Sequence, residues 1–146
     1  MGMFDAIDSA ASGLTAERLR MDVISNNLAN VNTTRTPEGG AYKRKLVVFE
    51  PRAQQGLSFA KTLSGEMQQS GEGVRAVGII SDDTPGNTIY DPNHPDANKD
   101  GYVEMPNVNV VNEMVDMITA SRAYEANVTA VNTAKSMAMK ALDIGK

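Results

Sequence analysis

The sequence predicts a mostly α-helical fold with a small β insert, in which long N- and C-terminal helices pack as a coiled-coil-like layer. Apolar residues follow a heptad repeat in the C-terminal region and recur with period seven in the N-terminal region. All six prolines and nine of the twelve glycines lie between these regions, which excludes a long helix there. The predicted division is an N-terminal helix over residues 1–31, a strand-and-loop insert over 32–107 and a C-terminal helix over 108–146.

The N-terminal helix is predicted from four apolar residues spaced seven apart: Ile7, Leu14, Met21 and Leu28. If continuous over residues 4–31, it is about 40 Å long at 1.5 Å per residue. Gly13 weakens its middle by up to ~1 kcal/mol relative to alanine. The asparagine-rich run over residues 26–33 predicts its end, because asparagine side chains satisfy free backbone groups at helix ends and in turns.

The insert contains short strand candidates separated by turn-forming residues. Tyr42 to Phe49 and Val74 to Ile80 are rich in β-branched or aromatic side chains, and Thr88 to Tyr90 is a third candidate. Residues 51–73 are polar and interrupted by glycine, which is typical of a flexible or extended loop.

The C-terminal helix is predicted over Val108–Leu142, with Asn107 or Asn109 as its N-cap. At roughly 50 Å it is too long to be covered by a compact chain of this size, so the pattern predicts a partner. Eight of the ten repeat positions are apolar, and the two polar ones are of the kind that fix register or partner. The repeat consists of Val110, Met114, Met117, Ser121, Tyr124, Val128, Val131, Lys135, Ala138 and Leu142.

Composition limits the function classes. Leu, Ile, Val and Phe number only 30 of 146 residues, so the core available to an isolated chain is small. The net charge of −4 gives no strong attraction to nucleic acid. The absence of cysteine excludes disulfides and thiolate metal sites. No cleavable signal peptide and no apolar run long enough to span a membrane is visible, so any export is expected to use a route that reads no such signal.

One stretch has the spacing of metal ligands. Asp96, Asn98 and Asp100, followed by Gly101, match the first half of a calcium loop, but Asn107 stands where the bidentate glutamate belongs. The alternative interpretation is a turn stabilised by Asx side chains.

Other candidate sites are weaker. An enzyme would need a pocket around His94, the only histidine in the chain. The basic run Lys43-Arg44-Lys45 suits either a phosphate contact or the solvated edge of a strand, and Asp82-Asp83 is typical of a turn.

Two terminal motifs and one central stretch resemble a known family. The N-terminal motif is Ser12 to Ala16 followed by Ser25 to Thr33, and the C-terminal motif runs from Val108 through Asn127 and closes with Ala141 to Gly145. The chain resembles the bacterial flagellar rod, hook and hook-associated axial proteins. The segments Tyr90 to Asn98 and Gly101 to Asn109 resemble the basal-body rod members in particular. The turn over residues 33–40 departs from the pattern of most axial relatives.

The resemblance implies a structural protein without a catalytic role or cofactor. It implies export through the flagellar type III apparatus, location in the basal-body rod that crosses the periplasm, and assembly into a helical tube that transmits motor torque to the hook. The implied partners are other rod proteins, further copies of the chain, the adaptor to the membrane ring and the export apparatus. A calcium-dependent binding module using Asp96 to Asp100 is the alternative function. The expected assembly-interface residues are Ile7, Leu14, Met21, Leu28, Asn30, Met114, Met117, Tyr124, Val128, Val131 and Leu142.

Overall fold

A computed structural model describes residues 3–52 and 73–144 of the chain. In these residues, two long helices flank a small strand region, which confirms the predicted fold class. The predicted loop over 51–73 lies almost entirely outside the described residues. The elements are α1 (Met3–Ala29), β1 (Lys45–Pro51), β2 (Val74–Ser81), β3 (Thr88–Tyr90), β4 (Tyr102–Glu104) and α2 (Val110–Ile144).

The chain forms two compact units, and both helices contribute to each. The first unit takes α1 up to Arg18, the end of β1 from Phe49, β2 up to Val77, and α2 from Arg122. The second unit takes Leu19–Val48 and Gly78–Ser121.

Helix α1 ends at the amide-rich run, as its sequence predicts. The backbone N–H of Asn30 is bonded to the carbonyls of Asn26 and Asn27 at 3.1 and 3.2 Å. The side-chain amide of Asn30 also donates to the Asn26 carbonyl at 2.9 Å, and its oxygen accepts the hydroxyl of Thr33 at 3.2 Å. These bonds satisfy carbonyl groups that a helix end leaves free.

The most buried face of α1 differs from the predicted one. Ile7, Leu14, Met21 and Leu28 are only half-buried. The residues with the least exposure are mostly smaller or polar, apart from one isoleucine: Ser12, Ala16, Val23, Ile24 and Asn27. At about 100° per residue, Ala16 and Val23 lie roughly opposite Leu14 and Met21 on the helix. The repeat of large apolar residues therefore does not mark the tightest contact.

Helix α2 begins at a side-chain cap. Asn109 Oδ1 accepts the backbone N–H groups of Val111 and Asn112 at 3.0 and 3.2 Å, so Asn109 is the N-cap. Asn107, the other predicted candidate, instead bonds to strands and turns in the second unit.

The buried face of α2 is offset by one residue from half of the predicted repeat. Met117, Tyr124, Val131 and Ala138 are half-buried, in agreement with the pattern. At the alternate positions of the repeat, the residue that faces the interior is the one immediately before the predicted residue. Of these, Glu113, Ala120 and Ala134 are buried, and Asn127 is half-buried. The predicted residues at these positions are exposed or half-buried: Met114, Ser121, Val128 and Lys135.

The two helices approach each other within each unit. In the first unit, a Cβ added to Gly13 would lie 2.8 Å from Nδ2 of Asn127. In the second unit, Asn27 Nδ2 donates to Glu113 Oε2 at 3.0 Å. Each contact joins a residue of α1 to a residue of α2.

Over residues 3–52 and 73–144, the strands form two two-stranded sheets. β1 and β2 are antiparallel, because Arg52 N–H donates to the Gly73 carbonyl at one end and Asp82 N–H donates to the Arg44 carbonyl at the other. β3 and β4 are antiparallel with Ile89 opposite the buried Val103. β4 was not among the strands predicted from the sequence.

The turn before β4 requires glycine. Gly101 has φ of +79°, and a Cβ there would lie 2.9 Å from Cε2 of Tyr90. Gly39 has φ of +92° but nothing within 4 Å of its added Cβ, so it is a matched control for backbone strain alone.

We expect Gly39→Ala to lower the free energy of unfolding by about 1–2 kcal/mol and Gly101→Ala to lower it by roughly 1–3 kcal/mol more. The additional loss comes from crowding against Tyr90. Urea unfolding of both variants measures the difference. Equal losses would contradict the close packing at Gly101.

Candidate functional site

Asn27 of α1 is a buried polar side chain in the second unit, with 1% exposure. Its amide nitrogen donates to the Lys45 carbonyl at 2.9 Å and to Glu113 Oε2 at 3.0 Å. Its oxygen accepts the Lys45 backbone N–H at 2.9 Å and the Tyr42 hydroxyl at 3.0 Å. All four hydrogen-bonding positions of the amide are thus occupied. The side chain bonds to Lys45 as a neighbouring strand would.

Glu113 connects this amide to α2. It is also 1% exposed, and its second oxygen accepts Arg44 Nε at 2.6 Å. Arg44 reaches the more exposed Asp116 with a terminal nitrogen at 3.2 Å. Glu113 lies in the first turn of α2, where the helix dipole favours a negative charge. We call Asn27, Tyr42, Arg44, Lys45 and Glu113 the Asn27 network.

A second asparagine bonds to the same segment of chain. Asn107 Oδ1 accepts the backbone N–H of Arg44 at 2.7 Å. Its amide nitrogen donates to the carbonyls of Asp82 and Thr84 at 3.0 and 3.1 Å. The buried Asn27 and the half-buried Asn107 therefore bond to two consecutive residues, Lys45 at the start of β1 and Arg44 just before it.

A cavity of about 240 Å³ adjoins the Asn27 network in the second unit. Val23, Ile24 and Leu46 contribute apolar lining, and Arg20 and Asp116 contribute charge. Its volume is below the range of about 300–1,000 Å³ that is typical of small-molecule sites.

Large apolar side chains of α2 point away from the network. Val111, Met114, Val115 and Ile118 are 53–68% exposed and are spaced i, i+3, i+4 and i+7. This spacing places them on one helix face. We call these four residues the outer stripe. An exposed contiguous apolar surface of this kind is typical of an interaction site.

The expected interface residues fall into two groups. Met114, Val128 and Leu142 are exposed. The remaining described side chains are half-buried: Ile7, Leu14, Met21, Leu28, Asn30, Met117, Tyr124 and Val131. The sequence patterns did not reveal the specific roles of Asn27, Arg44 and Glu113, although all three residues stand in the motifs or charged runs described above.

The predicted calcium loop is held by bonds of an Asx turn. Asn98 Oδ1 accepts the backbone N–H groups of Asp100 and Tyr102 at 3.0 and 2.9 Å. Asp96 accepts the Thr34 hydroxyl at 2.8 Å. Over residues 3–52 and 73–144, no three or more His, Cys, Asp or Glu side chains converge in an arrangement that could hold a metal ion.

His94 makes a local bond. It is half-buried, and its Nδ1 accepts the backbone N–H of Asp96 at 3.1 Å. This bond lies within the turn that precedes β4.

The two charged runs have different structural roles. Of the three basic residues, Lys43 pairs with Asp83 at the surface and Lys45 is exposed, but Arg44 is directed to the buried Glu113. Asp82 lies in a turn, as expected, and hydrogen bonds from the hydroxyl and backbone N–H of Thr84 lower its pKa.

Comparisons with known proteins identify the family. Residues 7–35 match the family model described as flagella basal body rod protein, and residues 99–144 match the model described as flagellar basal body rod FlgEFG protein C-terminal. The flagellar basal-body rod protein FlgC of Borreliella burgdorferi is 52% identical over 149 residues, covering 99% of this chain and 98% of that protein. The chain belongs to the FlgC family of flagellar basal-body rod proteins.

Two other relatives extend this result. The FlgC proteins of Bacillus subtilis and of Escherichia coli strain CFT073 are 47% and 39% identical, and each alignment covers both chains completely. The family models span both terminal motifs, so Asn27 falls in the first matched region and Glu113 in the second. Within the described residues, no helix has an apolar stretch sufficient to cross a membrane.

The two acidic partners of Arg44 allow a matched test of the network. Glu113→Ala removes the buried carboxylate that pairs with Arg44 and leaves one amide hydrogen of Asn27 without its acceptor, so we expect a loss of about 3–5 kcal/mol in the free energy of unfolding. Asp116→Ala removes an exposed partner of the same arginine and is expected to cost at most ~1 kcal/mol. Urea unfolding compares the two variants. A similar loss in both would show that burial of Glu113 has no special importance.

Because of Tyr42, the free energy of unfolding is expected to vary with pH in the alkaline range. Burial, and then the charge of Glu113, raise its pKa above the ordinary value of 10.0. The unfolded chain therefore releases this proton first, so the contribution of Tyr42 is fully present below the ordinary pKa and is lost as pH rises through the folded pKa.

We expect the stability difference between the unsubstituted chain and Tyr42→Phe to shrink between about pH 8 and about pH 11. Urea midpoints across this range provide the measurement, and Tyr90→Phe, at a well-exposed ring, controls for loss of a hydroxyl. A difference that stays constant or grows would contradict the raised pKa of Tyr42.

Proposed function

We propose that this chain is a structural subunit of the proximal rod of the flagellar basal body, where it assembles into a helical tube that transmits motor torque to the hook. The observation that carries this proposal is the full-length similarity to FlgC proteins at 39–52% identity. The role is one of assembly and does not require catalysis, a cofactor or a metal.

The outer stripe supports an assembly role. Fully burying one Val, Met or Ile side chain is worth roughly 1.5–3 kcal/mol, so four exposed side chains on one face leave a large favourable term unused. The opposite side of the same helix segment carries the buried Glu113 and Ala120. The segment therefore has one face for the chain itself and another that is available to a neighbour.

The distribution of apolar residues favours head-to-tail contacts. A heterologous contact that does not close into a ring produces a helix that can keep growing. We propose that the exposed Met114, Val128 and Leu142 contact neighbouring subunits directly. We propose that the half-buried members of the expected set contact neighbouring subunits as well. They include Asn30, which also makes hydrogen bonds at the end of its own helix.

The proposed partners are further copies of the chain, other rod proteins and the adaptor to the membrane ring. Passage through the flagellar type III apparatus would deliver the chain unfolded, and the rod would cross the periplasm. The shortage of large apolar side chains agrees with a subunit that gains much of its stability from neighbours.

Imaging of purified basal bodies tests the rod assignment. Cells that lack this protein should have basal bodies without a complete rod and should not swim, and expression of the unsubstituted chain should restore both. Complete rods in the deletion strain would refute the assignment.

The outer stripe can be tested within that experiment. We expect the double substitution Met114→Ser, Ile118→Ser to lower the amount of subunit in basal bodies at least tenfold, because it removes two apolar contacts of roughly 1.5–3 kcal/mol each. Both side chains are more than half exposed, so the isolated chain should keep its stability. Glu125→Ser, another exposed position on α2, is the control. Normal retention of the double variant would show that the outer stripe is not an interface.

A further inference from the structure

The β1–β2 hairpin is expected to have little stability of its own. In the part of the chain that the structure describes, its sheet has two strands, and β2 is exposed along nearly its whole length. Val77, Ile79 and Ile80 are each 49–52% exposed. An isolated two-stranded hairpin is at best marginally stable in water. Its order therefore depends on contacts with other elements.

Helix α1 provides an anchor for each strand of the hairpin. In the second unit, Asn27 exchanges two hydrogen bonds with the backbone of Lys45, the first residue of β1. In the first unit, Ser12 Oγ accepts the backbone N–H of Val74, the first residue of β2, at 3.0 Å and donates to the Ser9 carbonyl at 2.7 Å. Asn27 and Ser12 are both buried.

The Asn27 anchor is complete only when α2 is present. One hydrogen of its amide goes to the Lys45 carbonyl and the other to Glu113 of α2. Glu113 in turn accepts the side chain of Arg44, the residue just before β1. Without α2, Asn27 would lose one of its four hydrogen bonds and Arg44 would lose its buried carboxylate partner.

We propose that the Asn27 network makes the order of the β1–β2 hairpin conditional on the pairing of α1 with α2. The hairpin is then ordered only in a chain whose two helices are paired. Its exposed surface includes Val77, Ile79 and Ile80. This coupling operates within the isolated chain. Its use in the rod, where only a correctly folded subunit would offer the hairpin to a neighbour, rests on the proposed function.

Amide hydrogen exchange of the purified full-length chain tests the coupling. The decisive variant is Glu113→Gln, which changes α2 alone and places an N–H₂ group against Arg44 or Asn27. We expect amide exchange across β1 and β2 to accelerate roughly tenfold or more, by the same factor as in the first turns of α2. The reason is that loss of a buried charged hydrogen bond makes every segment that opens together with it exchange faster. The control Asp116→Asn removes charge from the same helix but leaves Glu113 in place.

Two variants on α1 complete the design. Asn27→Ala should accelerate exchange in the hairpin and in α2 together, whereas Asn26→Ala should not, because Asn26 is exposed and its side chain donates to the Asp22 carbonyl of its own helix. If Asn27→Ala prevents folding, Tyr42→Phe removes a single bond to Asn27 and should produce the same pattern with about a three- to tenfold change.

The result that overturns the proposal is faster exchange in α2 with an unchanged hairpin in Glu113→Gln, or a change confined to Lys45 in Asn27→Ala. Either would show that the helices and the hairpin order independently. These measurements use the isolated chain, so their failure is distinct from a failure of the rod assignment, which is judged in basal bodies.

Discussion

The fully bonded amide of Asn27 is the contact on which the second unit depends. A buried polar group without partners costs about 1–3 kcal/mol or more, and a half-bonded amide would be less favourable here than an apolar side chain. Asn27 avoids this cost because the start of β1, the segment before it and the start of α2 each supply partners. Aspartate could not replace it, since it has no N–H to offer the Lys45 carbonyl and would add a charge beside Glu113.

Much of the architecture could be predicted from the sequence because helix-capping residues and hydrophobic periodicity are local signals. The asparagine run marked the end of α1, one of two candidate asparagines proved to be the N-cap of α2, and β-branched residues marked β1 and β2. The contacting faces could not be predicted in the same way. Hydrophobic periodicity reports large apolar side chains, whereas the closest contacts use Gly13 and Asn127 in one unit and Asn27 and Glu113 in the other.

The candidate site shows why residue type alone was insufficient. Lys43, Arg44 and Lys45 are equivalent in a pattern of charges, yet only Arg44 meets a buried carboxylate 69 residues away in sequence. That partnership depends on tertiary structure. The family motifs did contain Ser12, Gly13 and Asn27, and the structure gives each of them a physical role. Ser12 anchors β2, Gly13 leaves space for Asn127, and Asn27 bonds to Lys45 and Glu113.

Residues 111–120 of α2 place the buried Glu113 and Ala120 on one side and the outer stripe on the other, and this division has a thermodynamic consequence. The four side chains of the outer stripe are more than half exposed, so a partner that covers them stabilises the folded chain more as the concentration of that partner rises. In the proposed polymer, a substitution that weakens the interior of the chain can be tolerated while it depletes the pool of free subunits. Such a defect would slow the growth of the proposed polymer before it weakened the finished one.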